Sequence, residues 1–317
     1  MRDQFGRKID YLRLSVTNLC NLRCIYCMPV SSVEKCGHAE MLSVEEIREI
    51  VRAAAACGIR KVRITGGEPL VRRDVLDICR EVAAVPGIET VCMTTNGVLL
   101  PQFAAQLKQA GVSRLNISID ALDPRRYAAL TRGGNLQTSL AGIKAAVQAG
   151  FTGIKINAVL LGGKQGNADE IEPLVRLTLD NDFSVRFIEL MRMGECASWP
   201  TSCFLPNDTV LHRLPELEPA GTDGVARLYR LPSARGTVGL ISPVSQHFCP
   251  TCSRIRITAD GKLKPCLHSA EEIDLRGQSG SALETLIWGG IWRKPARHEL
   301  SPDKSSRSMR AMNEIGG

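Results

Sequence analysis

The sequence has few aromatic residues and no long apolar run. Phe, Trp and Tyr make up 4% of its 317 residues. No stretch approaches the roughly 20 apolar residues that a membrane-spanning helix needs. The first residues, MRDQFGRKID, contain no apolar core of a secretory signal. These absences predict a cytoplasmic protein that does not interact with a membrane.

The sequence also has no segment in which charges of one sign are concentrated. The chain has 40 Lys and Arg against 33 Asp and Glu, a net charge of +7. This balance suits an anionic ligand. Because there is no lysine-rich tract and no interleaving of basic with aromatic residues, the sequence argues against nucleic acid as a partner.

Cysteine, in contrast, is abundant. Twelve cysteines in a protein expected in a reducing compartment indicate metal ligation or redox chemistry rather than disulfides. Half of them form two triads. In the first triad, three and then two residues separate the members; in the second, two and then thirteen do. The triads are Cys20, Cys24 and Cys27, and Cys249, Cys252 and Cys266.

Structural zinc sites and ordinary iron–sulfur clusters have four protein ligands, so a triad leaves one position open. A 4Fe–4S cluster held by three thiolates has one iron free to bind a small molecule. The alternative is a zinc site completed by a distant residue, for which His247 or His268 is a candidate at the second triad.

The other six cysteines carry no such pattern. Cys57, Cys79 and Cys92 lie in helix or strand patterns and are interpreted as small buried residues. No role is assigned to the three in predicted loops, although any of them would serve as the hidden fourth ligand of a zinc site. These are Cys36, Cys196 and Cys203.

Short apolar strands alternate with helical stretches over the first two thirds of the chain. One helix is predicted over 43–58, where Ser43 and Glu46 form a capping box and Gly58 ends the helix. This alternation predicts an α/β fold with parallel strands, either a doubly wound sheet or an incomplete barrel. The six predicted strands are 11–16, 60–65, 89–95, 114–120, 153–159 and 185–190.

The character of the chain changes after Pro200, where Pro and Gly become frequent and helices are hard to predict. We therefore divide the chain into residues 1–200 and a smaller C-terminal region, residues 201–317.

The predicted strands alternate apolar and polar residues, whereas a parallel strand covered on both faces is almost continuously apolar. One face must therefore line a wet or occupied space. An antiparallel sheet with one solvated face is the alternative. The preferred interpretation is a barrel lumen that binds a polyanion through cations on the polar face. These cations are Arg13, Lys61, Arg63, Lys155 and Arg186.

Two motifs resemble those of the radical S-adenosylmethionine (SAM) enzymes. Cys20-x3-Cys24-x2-Cys27, with Tyr26 before the last cysteine, is similar to the signature of that superfamily. TGGEP at 65–69 resembles its glycine-rich turn. The resemblance implies that SAM chelates the open iron, and that one electron cleaves SAM to methionine and a 5′-deoxyadenosyl radical.

The whole set of motifs resembles one family, the GTP 3′,8-cyclases, which open molybdenum cofactor biosynthesis. The set is FGRKIDYLRLSVT, the first triad, KVRITGGEPLVRRD, TTNG, NISID, RFIELM, the second triad and a terminal IGG. The resemblance implies an incomplete six-stranded (β/α) barrel of the radical SAM type. A C-terminal region that carries a second 4Fe–4S cluster closes it.

The family also implies roles for individual residues. Each triad would hold a 4Fe–4S cluster, and the second cluster would meet the guanine ring. Residues implied to contact SAM are Tyr26, Gly66, Gly67, Glu68, Ser118 and Met191. Residues implied to contact GTP are Arg13, Lys61, Arg63, Thr94, Lys155, Arg186, Arg254, Ile255 and Arg256. Arg254, Arg256, Gly316 and Gly317 are implied to assist catalysis together with the first triad.

The implied reaction is hydrogen abstraction from ribose C3′ of GTP, attack of that carbon on guanine C8, and reduction of the product. Implied partners are an electron donor of flavodoxin or ferredoxin type and a downstream cyclic pyranopterin monophosphate synthase. The chain would act as a monomer or homodimer. Two alternatives remain: a different radical SAM enzyme with an auxiliary cluster, such as a peptide-modifying one, or a non-catalytic zinc protein that binds nucleic acid.

Overall fold

The structure is a computed structural model that describes residues 1–29 and 40–316. Six parallel strands from the first two thirds of the chain form the centre of one sheet. They confirm the six predicted strands, with ends that differ by one or two residues. They are β1 (Tyr11–Ser15), β2 (Lys61–Thr65), β3 (Thr90–Thr95), β4 (Val112–Ser118), β5 (Lys155–Leu160) and β6 (Ser184–Glu189).

Helices connect these strands. The first, α1 (Val44–Ala56), begins at Ser43, and its capping box with Glu46 is confirmed. The other connecting helices are α2 (Val75–Ala84), α3 (Leu100–Gln109), α4 (Pro124–Thr131), α5 (Leu136–Gln148) and α6 (Ile171–Asp180). Three more helices follow β6: α7 (Asp208–Arg213), α8 (Gly280–Trp292) and α9 (Met312–Ile315). Within the described residues, no helix combines the length and the apolar character needed to span a membrane.

Six further strands from the C-terminal region extend both edges of this sheet. They are β7 (Glu218–Asp223), β8 (Ala226–Arg230), β9 (Thr237–Ile241), β10 (Arg254–Ile257), β11 (Lys262–Lys264) and β12 (Ile273–Asp274). Strand β9 pairs in parallel with β6, and β10 in parallel with β1, while the outer strands are antiparallel. The division of the chain at residue 200 stays a prediction.

The alternation of apolar and polar residues along the strands gives the sheet one apolar face and one cationic face, as predicted. Leu12, Leu14 and their counterparts on neighbouring strands are fully buried and pack against the helices. On the opposite face, Arg13 lies in register with Arg63 on one side and with Arg256 on the other. Because these strands are parallel, the alternative of an antiparallel sheet with one solvated face is wrong. The lumen is lined by cations.

Candidate active site

The first cysteine triad lies in the loop that follows β1. The main-chain N–H groups of Cys27 and Met28 donate to the carbonyl of Cys24, at 3.0 and 3.1 Å, which folds the loop into a tight turn. Burial raises the pKa of Cys20 to about 11 and that of Cys27 to about 12, and it raises the pKa of Cys24 well above its usual value. The three thiols are therefore neutral until a metal displaces their protons, and as a donor set they fit an iron site with one open position.

The glycine-rich turn after β2 packs directly against this loop. The N–H of Gly67 donates to the carbonyl of Thr17, and the N–H of Glu68 to that of Leu19, both at 2.8 Å. A Cβ on Gly66 would lie 2.4 Å from the carbonyl oxygen of Thr17, and one on Gly67 would lie 2.2 Å from that of Leu19. The close approach that these glycines permit is thus to the cysteine loop.

Glu68 of this turn is buried and has three protein donors. Its carboxylate accepts from the hydroxyl of Thr95 at 2.8 Å and from the N–H groups of Asn96 and Leu70 at 2.7 and 3.1 Å. Burial raises the pKa of Glu68 to about 7, although these donors oppose the shift. In this structure Glu68 joins the ends of β2 and β3. Its predicted contact with SAM stays a prediction.

Tyr26 of the cysteine motif is anchored to Asp120, which follows β4. Its hydroxyl donates to Oδ2 of Asp120 at 2.7 Å, and the N–H of Val159 donates to Oδ1 at 2.8 Å. Burial raises the pKa of Asp120 to about 6. Nearby, the buried thiol of Cys196 donates to the carbonyl of Tyr26 at 3.1 Å. Cys196 is thus the loop cysteine that lies beside the first triad.

A cavity of about 230 Å³ occupies the lumen on the side of β1 away from the helices. Its lining includes seven of the predicted site cations and all three cysteines of the second triad. The cations are Arg13, Lys61, Arg63, Lys155, Arg186, Arg254 and Arg256. The structure therefore brings together residues that lie more than 240 positions apart in the sequence, as expected if they bind one anionic ligand.

Tyr11 lies among these cations. Its hydroxyl accepts a hydrogen bond from Nε of Arg63, and Nζ of Lys61 lies 4.6 Å from the centre of its ring. Burial raises the pKa of Tyr11, but Arg63, Arg13 and Lys61 outweigh it and lower that pKa to about 8. Burial, together with Arg63 and Arg254, lowers the pKa of Arg13 to about 10. The cations repel one another, and a bound polyanion would relieve this repulsion.

On the far side of the cavity, Lys155 and Arg186 share a carboxylate. Nζ of Lys155 lies 2.6 Å from Oδ2 of Asp223, and Nη2 of Arg186 donates to the same oxygen. Burial opposes the ionised carboxylate, but the two cations hold the pKa of Asp223 well below its usual range.

The second triad lies in a cationic environment. Burial raises the pKa of Cys252, but Arg254 and Lys294 outweigh this effect and lower that pKa to about 6. Lys294 is 2% exposed, and its Nζ donates to the carbonyls of Arg254 and Pro265 at 2.8 and 2.9 Å. Positive charge therefore stabilises a thiolate here before any metal binds, which suits a second iron site.

Three histidines stand beside this triad. The ring centres of His247 and His268 lie 4.4 and 4.5 Å from that of His298. The ligand atoms of His247, Cys249 and His298 all lie within 4.8 Å of one another. The zinc alternative thus has a suitable donor set at Cys249, and one of its members, His298, is not foreseen by the sequence.

The C-terminal tail reaches the first triad and the cation-lined cavity. The main chain of Asn313 lies beside Cys27 and favours its thiolate, which opposes the rise of its pKa, and the side-chain amide of Asn313 donates to the carbonyl of Asn18 at 3.2 Å. The carbonyl of Gly316 accepts from Nη1 of Arg256. The tail therefore lies between the first triad and the cation-lined cavity. The implied part of Gly316 in catalysis stays a prediction. Gly317 lies outside the described residues, and so does Cys36.

The remaining predicted residues are distributed as follows. Thr94 accepts from Nη1 of Arg63 at 3.5 Å, and Met191 lines the cavity. Ser118 ends β4 beside Asn157 of β5. Ile255 is 0% exposed and faces the apolar layer, so only its main chain can contact a ligand in the lumen. Each of these ligand contacts stays a prediction.

Besides His298, sequence reasoning missed five residues that shape the site. Tyr11 and Asp120 belong to motifs identified in the sequence, and their places at the ends of lumen-facing strands were an available signal. Lys294, Asn313 and Asp223 lie in segments without a recognisable pattern, and only the tertiary structure brings them to the site.

Comparison with known proteins identifies two families along the chain. Residues 14–178 match the radical SAM superfamily, and residues 183–300 match the family "Molybdenum Cofactor Synthesis C". Among solved structures, SuiB of Streptococcus suis has a TM-score of 0.62 at 16% identity, covering 92% of this chain and 67% of SuiB. At that identity the likeness shows the fold alone, and the family match over residues 14–178 identifies this fold as that of the radical SAM superfamily.

Curated relatives match the chain over its whole length. GTP 3′,8-cyclase of Alkaliphilus metalliredigens is 49% identical over 322 residues, with 100% of both chains covered. The enzyme of the same name from Alkaliphilus oremlandii is 46% identical, also with 100% of both chains covered. That of Geobacter sulfurreducens is 45% identical, with 99% of each chain covered. The chain belongs to the GTP 3′,8-cyclase family of the radical SAM superfamily.

Proposed function

We propose that this protein converts GTP to (8S)-3′,8-cyclo-7,8-dihydroguanosine 5′-triphosphate, the first step of molybdenum cofactor biosynthesis. The observation that carries the proposal is the cation-lined cavity that also contains Cys249, Cys252 and Cys266. A triphosphate needs several cations at once, and a peptide substrate has little need for Arg13, Arg63 and Arg256 side by side.

The reaction requires SAM and two 4Fe–4S clusters, which supply one-electron chemistry when they are bound. Cys20, Cys24 and Cys27 would hold one cluster and leave an iron open for SAM. Cys249, Cys252 and Cys266 would hold the other. The raised pKa values of the first three thiols make cluster assembly there depend on proton release.

The other residues of the chain bind and orient the substrate. Arg13, Arg63 and Arg256 lie in register on three neighbouring strands and would bind phosphate oxygens through paired N–H donors. The tail places Gly316 between these arginines and the glycine-rich turn. It would exclude water from the space where ribose C3′ must meet the SAM-derived radical.

Further assignments belong to the same proposal. The protein works in the cytoplasm with an electron donor of flavodoxin or ferredoxin type. It passes its product to cyclic pyranopterin monophosphate synthase. It acts as a monomer or homodimer. Residue 200 divides the SAM-binding barrel from the region that carries the auxiliary cluster.

Anaerobic turnover of the reconstituted protein tests the function. The protein is incubated with SAM and dithionite and with GTP, ATP or no nucleotide, and 5′-deoxyadenosine and nucleotide products are quantified. We expect 5′-deoxyadenosine formation that depends on GTP, together with a product of the same mass as GTP, since one hydrogen atom leaves C3′ and one electron and one proton return. Turnover that is indifferent to the nucleotide would favour a peptide-modifying enzyme. A colourless, zinc-containing protein that does not cleave SAM would contradict both enzyme readings.

A further inference from the structure

One carboxylate interrupts the cationic lining of the cavity. Among the described residues that line it, Asp223 is the acidic one. It ends β7, and its Oδ2 lies 2.6 Å from Nζ of Lys155 and also accepts from Arg186. A carboxylate is an unexpected component of a site for a triphosphate, because it repels the ligand that the cations attract.

In the nucleotide-free protein, Asp223 has a clear electrostatic effect. The side chains of Lys155 and Arg186 are 10% and 8% exposed, so an unpaired charge on either would be poorly solvated. Asp223 neutralises part of their combined charge. Its own side chain is 44% exposed, so it reaches the two cations from the solvent side.

The cations and the carboxylate differ in how firmly they are held. Lys155 and Arg186 lie on neighbouring central strands, which pair over six residues. Asp223 lies at the tip of a hairpin whose first strand, β7, is exposed along almost its whole length. The next residue, Gly224, has φ +64, and no atom lies within 4 Å of where its Cβ would be. The carboxylate can therefore leave the cavity at lower cost than either cation.

We propose that Asp223 is a displaceable counter-ion that occupies the place of a nucleotide phosphate, so that tight binding requires a ligand with enough phosphate charge to replace it. This inference rests on the proposed function. Guanosine offers Lys155 and Arg186 nothing in exchange for the carboxylate. A triphosphate replaces one carboxylate by several phosphate oxygens and binds both cations more strongly.

Binding to the reconstituted holoenzyme tests the inference. Affinities for GTP, GDP and guanosine are measured by calorimetry for the wild type, for Asp223→Asn, and for Glu218→Gln. The last variant removes the same charge from an exposed position of the same strand. We expect Asp223→Asn to bind GTP roughly tenfold more tightly, GDP less so, and guanosine unchanged. Glu218→Gln should stay within about twofold of the wild type for all three ligands. Unchanged or weaker GTP binding by Asp223→Asn would overturn the inference.

Thermal unfolding separates this role from a purely structural one. Without nucleotide, Asp223→Asn should unfold at a lower temperature than the wild type, because Lys155 and Arg186 lose their counter-ion. With saturating GTP the difference should vanish, and Asp223→Glu should restore the wild-type behaviour. A decrease of equal size with and without GTP would overturn the inference.

Two further outcomes are distinguishable. If Asp223→Asn weakens GTP binding when Mg²⁺ is present but not when EDTA has removed it, Asp223 is a magnesium ligand and the inference is wrong. If the wild-type holoenzyme does not bind GTP, the proposed function itself fails. If the wild type binds GTP and Asp223→Asn binds it no more tightly, only the counter-ion role fails.

Discussion

The two cysteine triads lie in different electrostatic environments, although burial raises the pKa of Cys249 in the second triad as it does those of the first. Around the first, burial raises the pKa values of the thiols, of Glu68 and of Asp120. Around the second triad and its cavity, cations lower the pKa values of Cys252, Tyr11 and Asp223. Burial thus favours neutral side chains around the first triad, whereas cations surround the second. The cationic environment suits the polyanion GTP that we propose as its ligand.

The largest expected effect comes from removing one ligand of each triad. Cys24→Ala should lose about four irons per chain, and its SAM cleavage should fall at least about a thousandfold, because the cluster supplies the electron. Cys252→Ala should also lose about four irons but should keep SAM binding while GTP cyclisation is lost. Iron analysis and assays of 5′-deoxyadenosine and cyclised nucleotide check both. Cys203→Ala, in a half-buried loop position, is the control. SAM cleavage by Cys24→Ala would contradict the assignment of the first triad.

Changes in the C-terminal tail, which lies between the first triad and the cation-lined cavity, should have the next largest effect. A Cβ on Gly316, at φ +85, would lie 2.5 Å from Cγ2 of Thr65, so Gly316→Ala must displace the tail and its bond to Arg256. We expect cyclisation to fall about tenfold to a hundredfold, while the iron content of both clusters stays unchanged. Deleting residues 316–317 should abolish cyclisation. Gly277→Ala, at φ +71 with no atom within 4 Å of its Cβ position, is the control. A fully active truncated protein would show that the tail has no part in the reaction.

Thiol reactivity in the cluster-free protein measures the electrostatic contrast directly. The thiolate is the nucleophile, so alkylation accelerates as pH rises through the pKa of each thiol. Cys252, with a pKa of about 6, should react with iodoacetamide at neutral pH. Cys27, with a pKa of about 12, should not. Mass spectrometry of peptides after alkylation at a series of pH values gives both profiles. Equal alkylation rates for the two cysteines at pH 7 would contradict the difference in thiol pKa between the two triads.

The smallest expected effect is on the pH dependence of stability and comes from Tyr11, which lies among the cations of the cavity. Its folded pKa of about 8 lies below the unfolded value near 10, so ionisation contributes stability above pH 10 that is lost as pH falls through 8. The stability advantage of the wild type over Tyr11→Phe should therefore grow by on the order of 2 kcal/mol between pH 8 and 10. Denaturant unfolding at both pH values measures it. Tyr229→Phe, on strand β8 next to the edge of the sheet, is the control. A pH-independent difference would mean that Tyr11 stays protonated among the cations.

The sequence by itself determined the strands, the capping box of α1 and the two cysteine triads. It did so because each of these depends on spacing along the chain: a repeat of two residues in a strand, a carboxylate three positions after the cap, and two, three or thirteen residues between successive cysteines of a triad. The alternation in β1 and β2 was also sufficient to place Arg13 and Arg63 in the lumen. The family relationship then named the reaction.

Only the tertiary structure decided how these parts meet. That β10 pairs with β1, and so places Arg256 beside Arg13, depends on a contact across more than 240 residues. Contacts between distant segments also place Asp223 between Lys155 and Arg186, Lys294 beside the second triad and Asn313 beside Cys27. No local pattern encodes such contacts, because the energy that selects them comes from burying one face of the sheet and from pairing charges that folding brings together.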